Sequence, residues 1–295
     1  MLTPDLAMSL WDICVDGEWD LTLVRAALDK GDVDVNKRSL HNLTLLMWAA
    51  ADNKIPLMKL LLEQPSIDVN LAADHGFTAL HMAVSSETSS TEVLRTLLLD
   101  PRVDVNCTTE RMETPLNLAT KDPDRFDKVQ LLLADPRVDL NSLASYSGWD
   151  TSILMSATLS SNLKAAKVLL DNERVDVNWV NNRNAGALHL LAAFPDSDRP
   201  KGLLELLLSH PRVDVNYPPN STVLHTAAFN NNVEAVRLIL AEPRFTSHNN
   251  LDGQDGKTAL GLAASKGHWD ALEELAEDPK VDLAFIGLSP DDLKR

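Results

Sequence analysis

Cysteine is nearly absent from this 295-residue chain. Cys14 and Cys107 are too few for a disulfide-stapled secreted scaffold, so a reducing compartment is expected. Glycine is also sparse, with 11 residues that never cluster into a phosphate-cradling loop. No C-x-x-C, H-E-x-x-H, G-x-G-x-x-G, P-loop or G-x-S-x-G pattern occurs. No apolar run approaches the ~20 residues that span a bilayer. The first residues, MLTPDLAMSLWDICVDGEWD, have no basic region and carry Asp5, Asp12, Asp16 and Glu18, which is not the pattern of a secretory signal. The expected location is intracellular, in cytoplasm or nucleus. Positive charge is the minority: a formal net charge of −16 repels phosphate backbones and anionic lipid. Neither nucleic acid nor membrane is an expected partner. Aromatics are scarce at 5%, while alanine and leucine abound, a bias towards helix.

The length admits two globular domains, one large domain, or an array whose core grows along one axis. Repetition decides for the array. The phrase I/V-D-V/L-N ends at Asn36, Asn70, Asn106, Asn141, Asn178 and Asn216, with degraded copies at Arg244 to His248 and Lys280 to Ala284. Its steps of roughly 32 to 38 residues fall in the range of solenoids. A second phrase keeps pace: TLLMWAA from Thr44, TALHMAV from Thr78, TPLNLAT from Thr114, TSILMSA from Thr151, GALHLLA from Gly186, TVLHTAA from Thr222 and TALGLAA from Thr258. Between the two lies an apolar helical run such as LMKLLLEQP. Each unit therefore reads as two short helices and a turn, with threonine as N-cap and, at Pro115, a first-turn proline. One such pair cannot bury its own leucines; stacking neighbours does.

These phrases resemble the ankyrin repeat, whose pattern is T-P-L-H-x-A-A, an apolar second helix and D-V-N. The resemblance covers about residues 4 to 284 and implies an all-α solenoid of stacked helix-turn-helix units with projecting β-hairpin loops. It implies a capping repeat over residues 1–36, six internal repeats over 37–250, a C-terminal capping repeat over 251–284 and a short tail over 285–295, all in one continuous domain. Glu274 falls in the column of Leu60, Leu131, Val168, Leu206 and Leu238, which places the end of the array there. One departure stands out. Where the family closes its second helix with glycine, this chain mostly has proline, at Pro65, Pro101, Pro136, Pro211, Pro243 and Pro279. The helix must stop by another device.

The chemistry-bearing residues recur with the unit and so are read as serving it. His81, His189 and His225 share one column; neighbours on packed helices stand roughly 8–10 Å apart, too far to share a zinc with ligands about 2 Å away. No metal and no cofactor is expected. Arg102, Arg137, Arg174, Arg212, Arg244 and Lys280 form a further column, either a set of turn contacts or a cationic rail for an acidic partner. The expected function is non-catalytic protein recognition by a monomer, on the concave face made by hairpin tips and first helices. An adaptor recruiting a target to a larger complex and an enzyme with a site in that groove are the alternatives.

Binding energy concentrates in aromatic and arginine anchors. Trp179 and Tyr217 each follow a turn asparagine, and Phe194 and Phe229 sit at the variable end of first helices. They either pack against the next hairpin or form one apolar hot spot. Asn182, Arg183, Asn230, Arg111 and His75 complete the candidate partner surface. The family resemblance also implies possible hydroxylation of Asn70, Asn106, Asn141, Asn178 and Asn216 by a 2-oxoglutarate-dependent asparaginyl hydroxylase, since each follows a leucine eight positions earlier.

Overall fold

The computed structural model describes Cys14 and residues 20–31, 33–146, 148–194 and 202–286. Apart from Cys14, the part of the N-terminal capping repeat before residue 20 lies outside the described residues, as does the tail after 286. The chain divides into two compact units, Met1–Ser145 and Tyr146–Arg295.

The first unit holds α1 (Leu21–Asp29) and the helix pairs α2 (Leu45–Ala51) with α3 (Ile55–Leu62), α4 (Ala79–Ser85) with α5 (Thr91–Leu98), and α6 (Pro115–Thr120) with α7 (Phe126–Ala134). A short hairpin follows, β1 (Ala144–Tyr146) and β2 (Trp149–Thr151). The second unit pairs α8 (Ile153–Leu159) with α9 (Leu163–Asp171), α10 (Ala187–Ala193) with α11 (Leu203–Ser209), α12 (Val223–Phe229) with α13 (Val233–Ala241), and α14 (Ala259–Lys266) with α15 (Trp269–Glu277). In each unit the first helices contact one another in file and the second helices form a parallel file behind them. Among the described residues β1–β2 is the one regular hairpin; most other projecting loops are tight turns, as at Leu40–Asn42 and Asp74–Gly76.

Local chemistry explains the first helices. Thr44, Thr78, Thr114 and Thr258 accept at Oγ1 from the amide three residues on, a side-chain N-cap. Where a histidine stands at that third position it caps in return. The Thr78 and Thr222 amides donate to Nδ1 of His81 and His225 at 3.2 and 3.1 Å. At Gly186 the threonine is lost, because a Cβ there would lie 2.9 Å from the Trp179 carbonyl oxygen. Its amide still donates to His189 Nδ1 at 3.3 Å. Ala49, Ala50, Ala83, Ala119, Ala227 and Ala228 are fully buried, so small side chains let first helices approach. Leu57, Leu61, Leu97, Leu132, Leu169 and Ile239 are fully buried on the second helices. Each such side chain contributes about 1.5–3 kcal/mol.

The second helices are capped from the next repeat, both where a proline follows and, after Asp171, where none does. Arg102 donates from Nη2 to the Leu62 carbonyl at 2.7 Å, and Arg137 to that of Leu98 at 2.7 Å. Arg212 reaches the carbonyls of Leu170, Asn172 and Val175 at 2.9, 2.7 and 2.6 Å. Arg244 reaches those of Leu208, His210 and Val213. A cation at the last carbonyls also suits the negative helix end. Asp100, Asp135 and Glu242 hold their arginines from the side, and the Arg102 side-chain hydrogen bond keeps the Asp100 carboxyl below its usual range. These arginines cap helices of the preceding repeat, a role that neither reading of the column named.

The turn asparagines clamp one repeat to the next. Asn106 Nδ2 donates to the Arg137 carbonyl while Oδ1 accepts from the Asp139 amide, both at 2.8 Å. Asn36, Asn70, Asn178 and Asn216 do the same one repeat on. The degraded copy ending at His248 needs correction. Asn249 holds the clamp instead, donating to the Lys280 carbonyl at 2.8 Å and accepting from the Asp282 amide at 2.7 Å. His248 is buried edge-on to Phe245, with centroids 5.0 Å apart, and so faces inward where an amide is required. The Glu274 carboxylate pairs with Arg237 of the preceding repeat at 3.1 and 2.7 Å.

The turns between helices of a pair are of two kinds. Asn53, Ser161 and Asn231 adopt left-handed φ of 58°, 56° and 53°, each in a tight link. Two neighbouring pairs have longer links, α4–α5 joined by residues 86–90 and α6–α7 by residues 121–125; α10–α11 is joined by residues 194–202, of which 195–201 lie outside the described residues.

Candidate functional site

In the second unit the loop tips and first helices enclose a groove of about 300 Å³. Arg183 and Asn184 come from the loop before α10, Asn220 and Ser221 from the loop before α12, and Asp252, Gln254 and Asp255 from the loop before α14. Phe229 and Asn230, at the C-terminal end of α12, form its helical wall with Thr226. Phe229 is 46% exposed although large and apolar, and the Lys266 ammonium lies 4.4 Å from its ring centroid. The Arg183 guanidinium lies 4.2 Å from the centroid of Trp149. Both are cation–π contacts. Asp252 is a loop organiser, its Oδ1 accepting from the amides of Asp255 and Lys257 at 3.0 and 2.9 Å. Gly253 donates to the Asn220 carbonyl at 2.7 Å and so ties adjacent loops together.

The sequence-predicted residues are thus divided among several places. Arg183, Phe229 and Asn230 share the groove. Trp179 and Tyr217 line a separate cleft, about 20 Å³, with Val180, Leu188, His189 and Leu207; that is room for about one water. Trp179 is half-buried there, and Tyr217 is 44% exposed. Phe194 is half-buried at the end of α10, where its carbonyl accepts from Asn232 at 2.6 Å. Asn182 is exposed on its loop. In the first unit His75 is exposed and meets Glu110 of the next loop at 3.2 Å, and the Arg111 carbonyl accepts from the Ser145 amide at 2.9 Å. Of the asparagines considered for hydroxylation, Asn70, Asn106, Asn178 and Asn216 have both ends of the side-chain amide in the inter-repeat clamp. Asn141 donates its backbone amide to Asp139 at 2.9 Å.

Residues missed from sequence are Trp149, Asn184 and Asn220. The signal for Trp149 was an aromatic beside Gly148 in a projecting loop, where the hairpin lifts it to 37% exposure. Nothing in the local sequence distinguishes Asn184 or Asn220 from ordinary turn residues.

The histidine column is structural. His81, His189 and His225 are buried, with Nε2 hydrogen-bonded to the carbonyls of Glu113, Ser221 and Asn250 at 3.1, 2.8 and 2.9 Å. Burial lowers the pKa of all three. With Nδ1 accepting from an amide, each ring is the neutral tautomer protonated at Nε2. Among the described residues no group of three or more His, Cys, Asp or Glu side chains is placed to hold a metal, and no helix is long and apolar enough to cross a membrane.

Comparison with known proteins agrees with this architecture. The family model described as ankyrin repeats (3 copies) matches residues 12–109 and 188–284. An NAD-dependent deacetylase, sir2B of Dictyostelium discoideum, is 26% identical over 234 residues, which is 77% of this chain but 28% of that protein. The chain therefore spans under a third of that relative's length. Among solved structures, the ankyrin repeat domain of Bcl-3, a member of the IkappaB protein family, superposes with a TM-score of 0.64 at 21% identity, covering 79% of this chain and 98% of that one. A structure of the predatory endopeptidase Bd0816 from Bdellovibrio bacteriovorus in complex with the immunity protein Bd3460 matches with a TM-score of 0.53 at 20% identity, covering 69% and 98%. At these identities the likeness is one of fold.

Proposed function

The chain belongs to the ankyrin-repeat family, and on that premise we propose that it is a non-catalytic scaffold that binds another protein on its hairpin and first-helix face. The observation that carries this reading is the groove in which Arg183, Phe229 and Asn230 converge beside the side chains of Asn184, Asn220 and Gln254. Carboxamides offer both donor and acceptor, which suits the alternating N–H and C=O of an extended peptide. Phe229 supplies an exposed apolar anchor and Arg183 a held cation for a carboxylate. That a matching chain comes from a complex of an endopeptidase with an immunity protein is in keeping with this use of the fold.

The non-catalytic reading is supported by how the nucleophilic and basic groups are engaged. Burial pushes the Cys107 thiol up to about 11, far from a reactive thiolate. The three column histidines use both ring nitrogens within the array. The deacetylase activity named for the Dictyostelium relative belongs to a protein more than three times the matched length, and no feature of this groove calls for it.

The test is capture of partners by the intact chain and by Phe229→Ala. Truncating a binding anchor typically costs more than about 1–2 kcal/mol, a roughly tenfold loss of affinity. Proteins retained by the wild type should be lost from the variant while its melting temperature is unchanged. The same proteins retained equally by both would remove this groove from the reading.

A further inference from the structure

A second cleft, of about 450 Å³, lies in the first unit between the links that join the helices of two pairs. Its walls are the links of two neighbouring pairs: Ser86, Glu87, Ser89 and Ser90 from the first, Asp122, Asp124 and Arg125 from the second, with Asp127 and Lys128 of α7 at its edge. At Asn53, Ser161 and Asn231 the corresponding link is a tight left-handed turn, whereas the cleft lies where two adjacent pairs have longer links.

The cleft is acidic, and its two cations are already engaged. Arg125 pairs with Asp122 at 3.1 Å. Lys128 is buried, and its ammonium donates to the carbonyls of Ala83, Val84 and Ser86 at 2.8, 3.1 and 3.1 Å, closing the end of α4. The carboxylates of Glu87, Asp124 and Asp127 are exposed and enter no ion pair among the described residues. Ser89 is a second, independent observation at the same place. It is 5% exposed, lines the cleft, and its Oγ has no hydrogen-bond partner. A buried hydroxyl left unpaired is costly and calls for a partner.

We propose that this cleft receives an arginine side chain from a basic loop of a partner protein. A guanidinium carries five N–H donors in a rigid plane, enough for two or three carboxylates and the Ser89 hydroxyl at once, whereas an ammonium has three. The occupant enters by charge complementarity, in a chain whose net charge of −16 draws basic partners from solution. The site is independent of the hairpin groove, and either can fail without the other.

The probe is a fluorescein-labelled decapeptide alternating glycine with arginine, followed by anisotropy with the full chain at 0.15 M salt, where exposed charges are screened beyond about 8 Å. The double variant Asp124→Asn/Asp127→Asn should weaken binding at least tenfold, and Ser89→Ala several-fold. Glu87→Gln, at an exposed side chain with no structural contact, should weaken it severalfold with an unchanged melting temperature. The control Glu273→Gln/Glu277→Gln removes the same charge from the exposed face of α15 and should change affinity less than twofold. Equal weakening by the cleft and control variants would show only the chain's general negative field and overturn the site. So would failure of the wild type to bind the peptide, or a lysine peptide binding as tightly as the arginine one.

Discussion

A single column shows how much one residue position decides. The third residue of the first helix is Met47, His81, Asn117, Met155, His189, His225 and Gly261 in successive repeats. Histidine alone is long enough to cap its own helix and still reach the next repeat's carbonyl. Asn117 caps through Oδ1 at 3.0 Å, but its Nδ2 remains buried without a partner. The histidines impose a pH dependence. Each titrates near 6.5 when free and lower when folded. Between those values the unfolded chain holds protons that the folded chain does not, so stability is complete above about 6.5 and declines as pH falls below it. Melting temperature should therefore drop from pH 7 towards pH 5. The triple variant His81→Asn/His189→Asn/His225→Asn should melt lower at neutral pH with a flatter profile. An unchanged slope would mean that other groups control the acid limb.

The arginine column makes a second claim at this scale. Arg212 caps several buried carbonyls, whereas Lys280, at the same position, is exposed and its ammonium makes no contact among the described residues. Arg212→Ala should cost about 1.5–3 kcal/mol, as expected for charge-assisted hydrogen bonds, and Lys280→Ala under about 0.5 kcal/mol. Chemical denaturation of the two variants separates them, and equal losses would contradict the capping role.

Among the elements, the helices were legible and their joints were less so. The threonine caps, the leucine periodicity and the alanine approach are all local, and a reader of the sequence finds them. The arginine cap was not legible because its carbonyls lie roughly one repeat upstream in the chain, as Arg102 and Leu62 do. The shift of the clamp from His248 to Asn249 was likewise hidden, because it depends on which way the Phe245–His248 pair packs. The second helices carry the apolar energy. Leu97→Ala, at a fully buried position, should cost about 2–5 kcal/mol, while Leu99→Ala, two residues on and 84% exposed, should be close to neutral. The same elements bear on asparagine hydroxylation. An amide held at both ends in the clamp presents its Cβ to an enzyme only when the turn opens, so incubation with a 2-oxoglutarate-dependent asparaginyl hydroxylase should add oxygen faster to the Leu97→Ala chain than to the wild type. Intact-mass measurement reads this, and equal rates would remove the coupling to opening.

For the molecule as a whole, the fold was legible because a repeat states itself many times, whereas the site was legible only in part because it is stated once. Arg183, Phe229 and Asn230 could be placed on one face from the repeat register, and they share the groove. The single aromatic cluster expected of Trp179, Tyr217, Phe194 and Phe229 is distributed instead, since the first two line a separate cleft and Phe229 faces the groove under Lys266. Side-chain direction at a loop tip is set by contacts with the neighbouring loop, which a register cannot show. What joins repeats within each unit is the stacked leucines and, at every described joint, an asparagine that serves the following repeat. Hydrogen exchange on Asn178→Ala tests that claim directly. Exchange should quicken at the Asp214 amide and through the turn at residues 210–216, where Asn178 bonds, with the Asp104 amide unchanged. Quickened exchange at residues 172–178 alone, with Asp214 still protected, would mean that the asparagine braces only its own turn, and the account would be wrong.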